Sequence, residues 1–195
     1  MVFRIVNILE ACDRMEEAGL DELLSSFACP NNKRIEHFLQ ANAISCARQR
    51  FAITYLVMND DSELAGFFTL THKPVLFDRE HLDGKRRRQV KQFCVRSVEE
   101  GEESEQLLAS AFLIAQLAKN AAPLAGRTVT GGELVDFAMR TLMRIQWSIG
   151  GGLVFLECED VQKLLDFYEK HGFCKFGERV AQIEGEVYHQ LLRTF

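Results

Sequence analysis

The sequence has no CxxC pair. Its six cysteines stand at 12, 29, 46, 94, 158 and 174, too far apart for the paired ligands of a structural zinc site, so reduced thiols and no metal are expected. Nor is there a basic excess: 23 Lys and Arg face 28 Asp and Glu, for a formal net charge of -5. That excludes a protein that coats nucleic acid through its whole surface and leaves a local basic patch open. Long apolar runs are missing too. The longest uncharged stretch, Gln106 to Ala118, falls short of the ~18 residues that a bilayer span needs. The opening MVFRIVNILEACDRMEE lacks the apolar length and small-residue cleavage site of a secretory signal. A cytoplasmic, soluble protein with no membrane partner is the expectation. No repeat or low-complexity tract is visible.

What is present is the composition of a globular domain. Hydrophobic residues make up 47% and charged residues 26% of 195 positions, enough chain to bury roughly two thirds of its unfolded surface. One domain over 1–195 is expected. Val2 to Leu9 is β-branched and suits a strand, and residues 13–27 alternate charge with Leu as a helix does. Asn31 and Asn32 offer a cap for a second helix with Ile35, Phe38, Leu39, Ala43, Cys46 and Ala47 on one face. FAITYLVM (51–58) and LAGFFTLT (64–71), separated by Asn59-Asp60-Asp61-Ser62, read as a hairpin. Next come a basic block, Lys85, Arg86, Arg87, Arg88 and Lys91, and an acidic one, Glu99, Glu100, Glu102, Glu103 and Glu105. Residues 78–106 are therefore read as a charged, partly helical surface insertion.

SAFLIAQLA (110–118) has the continuous apolar pattern of a strand buried on both faces. A Gly/Ala/Thr-rich loop at 120–132 leads to a helix carrying Leu134, Val135, Ala138, Leu142, Ile145 and Ile149 on one side and ended by Gly150, Gly151 and Gly152. GLVFLECE (152–159) is a further buried strand, so the order strand, helix, strand predicts a parallel pair with a right-handed crossover. A helix follows with Val161, Leu164, Leu165 and Tyr168 on its apolar face, Asp160 as its cap and Gly172 in the left-handed conformation at its end. Strands at 174–180 and 186–194 close the chain as a hairpin.

This order of elements, with Phe167-Tyr168-Glu169-Lys170-His171-Gly172-Phe173 after the last helix-bearing strand, resembles the GNAT superfamily of N-acetyltransferases along nearly the whole chain. The heptapeptide looks like that family's FY-x-x-x-GF motif. The resemblance implies an α/β (α+β) fold: a mixed central sheet of about 6–7 strands, helices on both faces, and a parallel pair splayed by a bulge between 110–118 and 152–159. It also implies acetyl-coenzyme A as cofactor. The pantetheine arm would lie in the splay against the backbone of Gln116, Leu117, Ala118 and Lys119, because unpaired strand N–H and C=O groups need partners. The pyrophosphate would sit over the helix starting near Gly131, with Gly126, Arg127, Thr128, Val129, Thr130, Gly131, Gly132 and Glu133 around it. Placing the last glycine of the family's Q/R-x-x-G-x-G/A loop on Gly131 puts Gly126 first and Val129 at the middle glycine.

On this reading Tyr168 is the general acid that protonates the departing thiolate, with Phe167 beside it at the cofactor. Glu157 and Glu159, on one face of their strand, are candidate bases, and His72 is a further one. The acceptor implied first is a primary amine of a small molecule or protein. The second is aminoacyl-tRNA, because Phe27-Ala28-Cys29-Pro30-Asn31 with Ile35, Glu36, Phe38, Leu39 and Ala43 resembles the early segment of acetyltransferase toxins; Lys85 to Lys91 would then meet phosphates. A degenerate, non-catalytic interaction module and a homodimer are left open.

Overall fold

The computed structural model describes residues 3–100, 104–181 and 185–195, leaving aside the side chains of 96–100, 104 and 105. The acidic block at 99–105 therefore lies outside the described side chains. The fold is mixed α/β, and its strands form one eight-stranded mixed sheet. The chain divides into two units, 1–71 with 114–141 and 72–113 with 142–195.

The first unit opens with β1 (Arg4–Asn7), four residues rather than the eight expected. The strand stops because the Asn7 side chain accepts the Leu9 N–H at 2.9 Å and starts α1 (Ile8–Arg14), so a local cap overrides β-branched propensity. α2 (Glu17–Ser25) follows, and Asn32 caps α3 (Lys33–His37) as expected, accepting from Ile35 N–H. A π-helical turn (Phe38–Asn42) joins α3 to α4 (Ala43–Arg48). The expected hairpin is present as β2 (Ile53–Met58), paired antiparallel to β1 and to the first part of β3 (Leu64–Asp78). Its core gathers Ile8, Leu20, Leu24, Leu39, Leu56 and Leu64 around Phe27 and Phe67, whose rings meet edge to face at 5.1 Å.

Asn120 bolts this unit together. Buried, it accepts the Ala28 and Ala122 N–H groups (both 2.9 Å) and donates to the carbonyls of Leu64 (2.8 Å) and Ser26 (3.2 Å). Removing a side chain that satisfies buried backbone groups leaves them without partners. Asn120→Ala is expected to cost about 3 kcal/mol and lower the melting temperature by roughly 6–12 °C; a calorimetric shift under about 2 °C would mean the backbone finds other partners.

In the second unit, residues 78–106 are more than a charged surface. After a 3-10 turn (Arg79–His81), Asp83 caps α5 (Gly84–Gln92) by accepting from the Lys85 and Arg86 N–H groups. Leu82 and Val90 are buried in this unit's core with Phe77, Leu107, Phe155, Phe176 and Leu192. β4 (Cys94–Glu100) pairs antiparallel with the start of β5 (Ser104–Lys119), adding a strand to the number expected. α6 (Gly131–Ile149) ends at Gly150 and Gly151, both with positive φ, and Leu134, Val135, Ala138 and Leu142 are buried as expected, whereas Ile149 is 68% exposed. β6 (Leu153–Glu159), α7 (Gln162–Lys170) and the antiparallel pair β7 (Cys174–Val180) and β8 (Val187–Thr194) complete the chain.

Asp160 is not the cap of α7. The N-cap of that helix is Val161, with no side-chain cap, and Asp160 Oδ1 is taken at 2.8 Å by Nε2 of the buried His189. Gly172 does adopt the left-handed conformation, with φ +81°. No disulfide joins any of the six cysteines, and among the described residues no cluster of metal ligands occurs. Among them, too, no helix is long and apolar enough to cross a membrane.

Candidate active site

In the second unit the expected parallel pair exists and is short. β5 and β6 pair through Phe112↔Val154 and Leu113↔Phe155, and the ladder ends there. On its other edge β6 pairs with β8 along its whole length, from Leu153↔Thr194 to Glu159↔Tyr188. Beyond Phe155, the β6 edge facing away from β8 thus has backbone groups without a ladder partner among the described residues.

Tyr168 lies on the last turn of α7. The turn is fixed by the chain that follows: the His171 and Phe173 N–H groups both return to the Tyr168 carbonyl, and Gly172 N–H to that of Glu169. Phe173 is fully buried and anchors the turn. The Tyr168 ring sits edge-on to Phe167 at 5.0 Å and to Phe173 at 6.0 Å. Its half-buried ring explains the helical spacing, but no hydrogen bond engages its hydroxyl among the described residues. Burial, helped by Cys158 nearby, pushes the phenol up to about 12. The Cys158 thiol is itself raised to about 11 by burial and then by Glu159 and Asp160. Phe167 packs on the His171 ring at 4.5 Å, and His171 Nδ1 donates to the Phe167 carbonyl.

Glu157 is ionised, but its carboxylate is already engaged, which weakens it as a base. Arg179 grips it with Nε at 3.0 and 2.8 Å and Nη2 at 2.7 Å, and Gln190 adds a bond at 2.9 Å. Burial raises its carboxyl, but the Arg179 and Gln190 hydrogen bonds and the charges of Arg179 and Lys73 outweigh that and hold it below the usual range. Glu159 is exposed at the strand end. His72, the third candidate base, is exposed and shares a hydrogen bond with Ser110 Oγ at 3.1 Å from Nε2.

The first unit holds the rest of the predicted residues. At the end of β5, Gln116 and Leu117 are half-buried, Ala118 joins the core and Lys119 is exposed. At the start of α6, Thr130 and Glu133 form a reciprocal capping box: Glu133 N–H donates to Thr130 Oγ1, while the Thr130 N–H and hydroxyl donate to Glu133 Oε2 at 2.9 and 2.8 Å. These bonds hold the Glu133 carboxyl below its usual range. Arg127 pairs with Glu133 and stands 4.8 Å over the Phe3 ring. Thr128 is exposed.

Val129, at the position where the family loop has glycine, is a core residue, 2% exposed. It fills the space above Gly66, where an added Cβ would lie 3.0 Å from Val129 Cγ1 and 2.8 Å from the Ala118 carbonyl. Gly126 also departs from expectation. Its N–H and that of Ala125 are already taken, each at 2.9 Å, by the carboxylate of Glu63, so neither is available to a phosphate. The N–H groups of Gly131 and Gly132, in the first turn of α6, have no carbonyl one turn earlier in the helix to bind, and glycine lets an anion approach them closely. The donors present thus fit a diphosphate at the start of α6 and not at Gly126.

Sequence reading missed Glu63, Asn59, Asn120 and Arg179. Only the turn cluster at Asn59 was visible, and it was read as a turn alone.

No family model matches the sequence, and comparison with curated proteins finds no match. Solved structures do match in fold. AtaT complexed with acetyl-methionyl-tRNA superposes with a TM-score of 0.62 at 17% identity, over 96% of this chain and 94% of that one. A bacterial toxin gives 0.65 at 15%, over 99% and 90%, and a Tyr→Phe variant of KacT gives 0.62 at 16%, over 97% and 95%. At 15–17% identity these likenesses establish a shared fold, the mixed α/β fold expected from the sequence.

Proposed function

We propose that the chain is an acetyl-coenzyme A-dependent N-acetyltransferase whose acceptor is the amino group of an aminoacyl-tRNA. The observation that carries the acceptor is a groove in the second unit lined by Lys85, Arg86, Gln89, Gly172, Arg193 and Thr194, with Asp83 the one carboxylate among its lining residues. Arg86 is paired with Asp83 there, which leaves Lys85 and Arg193 as the groove's further cations; Gly172 belongs to the same turn as Tyr168, so this basic groove adjoins the proposed proton donor. This reverses the order in which the sequence alone ranks small amines and RNA. Support also comes from the fold likeness to a protein solved with acetyl-methionyl-tRNA and from one solved bound with acetyl-coenzyme A.

Bound acetyl-coenzyme A supplies an activated thioester and a thiolate leaving group. The chain's own part is divided among named groups. The Gly131 and Gly132 amides hold the diphosphate at the positive end of α6. Gln116 to Lys119 offer strand backbone to the pantetheine amides. Tyr168 keeps its proton on Oη through the neutral range, because its hydroxyl is buried enough to resist ionisation. The clasp with Arg179 and Gln190 argues against Glu157 as the base.

Incubation with labelled acetyl-coenzyme A and charged tRNA, polyamines and peptides decides the matter. Label is expected in the RNA fraction and to be lost on deacylation of the aminoacyl ester. Label in polyamines or peptides alone would return the small-amine acceptor, and no label anywhere would favour the non-catalytic module.

A further inference from the structure

The turn between β2 and β3 reaches the loop before α6 by a contact that no sequence motif announces. Glu63 accepts the Ala125 N–H on Oε1 and the Gly126 N–H on Oε2, both at 2.9 Å, and Oε2 also accepts from Asn59 Nδ2 at 2.7 Å. Asn59 is 4% exposed. Its Oδ1 accepts from the N–H groups of Asp61 and Glu63, and its Nδ2 reaches the Arg127 carbonyl at 3.4 Å. Gly126 is the residue type this arrangement requires, since an added Cβ would lie 2.6 Å from Asn59 Nδ2 and against the Asp61 carboxylate. Two successive N–H groups are thus clasped by one carboxylate, as such a pair would otherwise clasp a phosphate.

We propose that Glu63 is a positioning residue for coenzyme A: by holding the Ala125 and Gly126 amides it sets the path of residues 125–130 and so the presentation of the Gly131 and Gly132 amides to the diphosphate. The proposal rests on the acetyltransferase reading. The loop has two other fixed points, Asn120 at its entry and the buried Val129 near its exit. Past Ala121, whose N–H donates to the Ala28 carbonyl at 2.9 Å, the hydrogen bonds that restrain the loop backbone from outside, among the described residues, are the Glu63 clasp and the Asn59 contact with the Arg127 carbonyl, and both come from one turn. The clasp takes the place of the glycine-rich spacing that the family loop uses, since Val129 is committed to the core. Glu63 suits the task because it stays ionised: the Asn59 hydrogen bond first, then those of Ala125 and Gly126, hold its carboxyl below the usual range.

Coenzyme A binding by calorimetry and amide exchange at residues 125 and 126 test this together, on wild type, Glu63→Ala and Glu63→Gln. Glu63→Ala is expected to weaken coenzyme A binding roughly tenfold, about one charge-assisted hydrogen bond's worth, and to speed exchange at both amides. Glu63→Gln, which keeps one acceptor oxygen, should fall between. kcat/KM for acetyl-coenzyme A should drop in the same proportion, with kcat at saturation moving less than about twofold. Unchanged affinity in Glu63→Ala would overturn the proposal, and tighter binding would show instead that the carboxylate plugs an anion site. A wild-type protein that binds no coenzyme A would take down the acetyltransferase reading itself, an outcome distinct from either.

Discussion

Replacing Tyr168 by phenylalanine lowers turnover roughly 100-fold, the low end for loss of a general acid, and leaves coenzyme A affinity and the melting temperature close to wild type. The two halves of that expectation have separate causes. The ring's contacts with Phe167 and Phe173 survive the change, and the hydroxyl has no hydrogen-bond partner among the described residues to abandon, so packing is kept. What goes is the proton. A phenol raised above its ordinary value of 10 to about 12 is protonated at every pH below that window and loses its proton only as pH rises through it. Wild-type activity therefore should not fall on account of Tyr168 below about pH 11, and any earlier alkaline loss belongs to another group. Steady-state rates across pH 6–10 with calorimetry on both proteins check this. A Tyr168→Phe rate equal to wild type would leave the residue a packing aromatic.

Which features were legible in the sequence follows from their range along the chain. Asn32 capping α3 and Gly172 ending α7 were legible because each acts on backbone within a few residues of itself. The strand at 110–118 was legible because its nearly continuous apolar run carries no charge, although Leu113, Ala115 and Leu117 are only half-buried. Asp160 looked like a cap by the same local logic, yet it pairs with His189, 29 residues on, and sequence spacing carries no sign of that competition. Val90 stood alone among Lys85, Arg86, Arg87, Arg88 and Lys91, so the block read as surface, although one apolar side chain is enough to seat a short helix on a core. Of the candidate site, Tyr168 and the Gly131–Gly132 start were proposed from a motif. Glu63 was not, because its partners lie 62 and 63 residues away and a carboxylate after a turn has no signature of its own. Val129 shows the same limit from the other side: it stood at the middle glycine of the loop pattern, and nothing near it in the sequence tells that it fills the space over Gly66.

Charge reversal along α5 separates an RNA acceptor from a small one. Lys85, Arg88 and Lys91 recur every third residue and are exposed, with Val90 turned to the core, so one helical face is basic while the opposite one is buried. Their neighbours are otherwise engaged: Arg86 pairs with Asp83, and Arg87 Nη2 donates to the carbonyls of Arg79 and Leu82. Reversing Lys85, Arg88 and Lys91 together to glutamate is therefore expected to spare the fold, as exposed substitutions do to within about 0.5 kcal/mol apiece. For charged tRNA it should cut kcat/KM roughly 100-fold or more, because each residue loses one phosphate contact and gains a repulsion. The salt dependence should flatten in parallel, the slope of log kcat/KM against log salt shrinking by roughly two to three units. Coenzyme A binding, which depends on the start of α6, should be untouched. Acetylation of charged tRNA at the wild-type rate and slope by the triple variant would remove α5 from the acceptor path and leave the basic block as a solvated helix face.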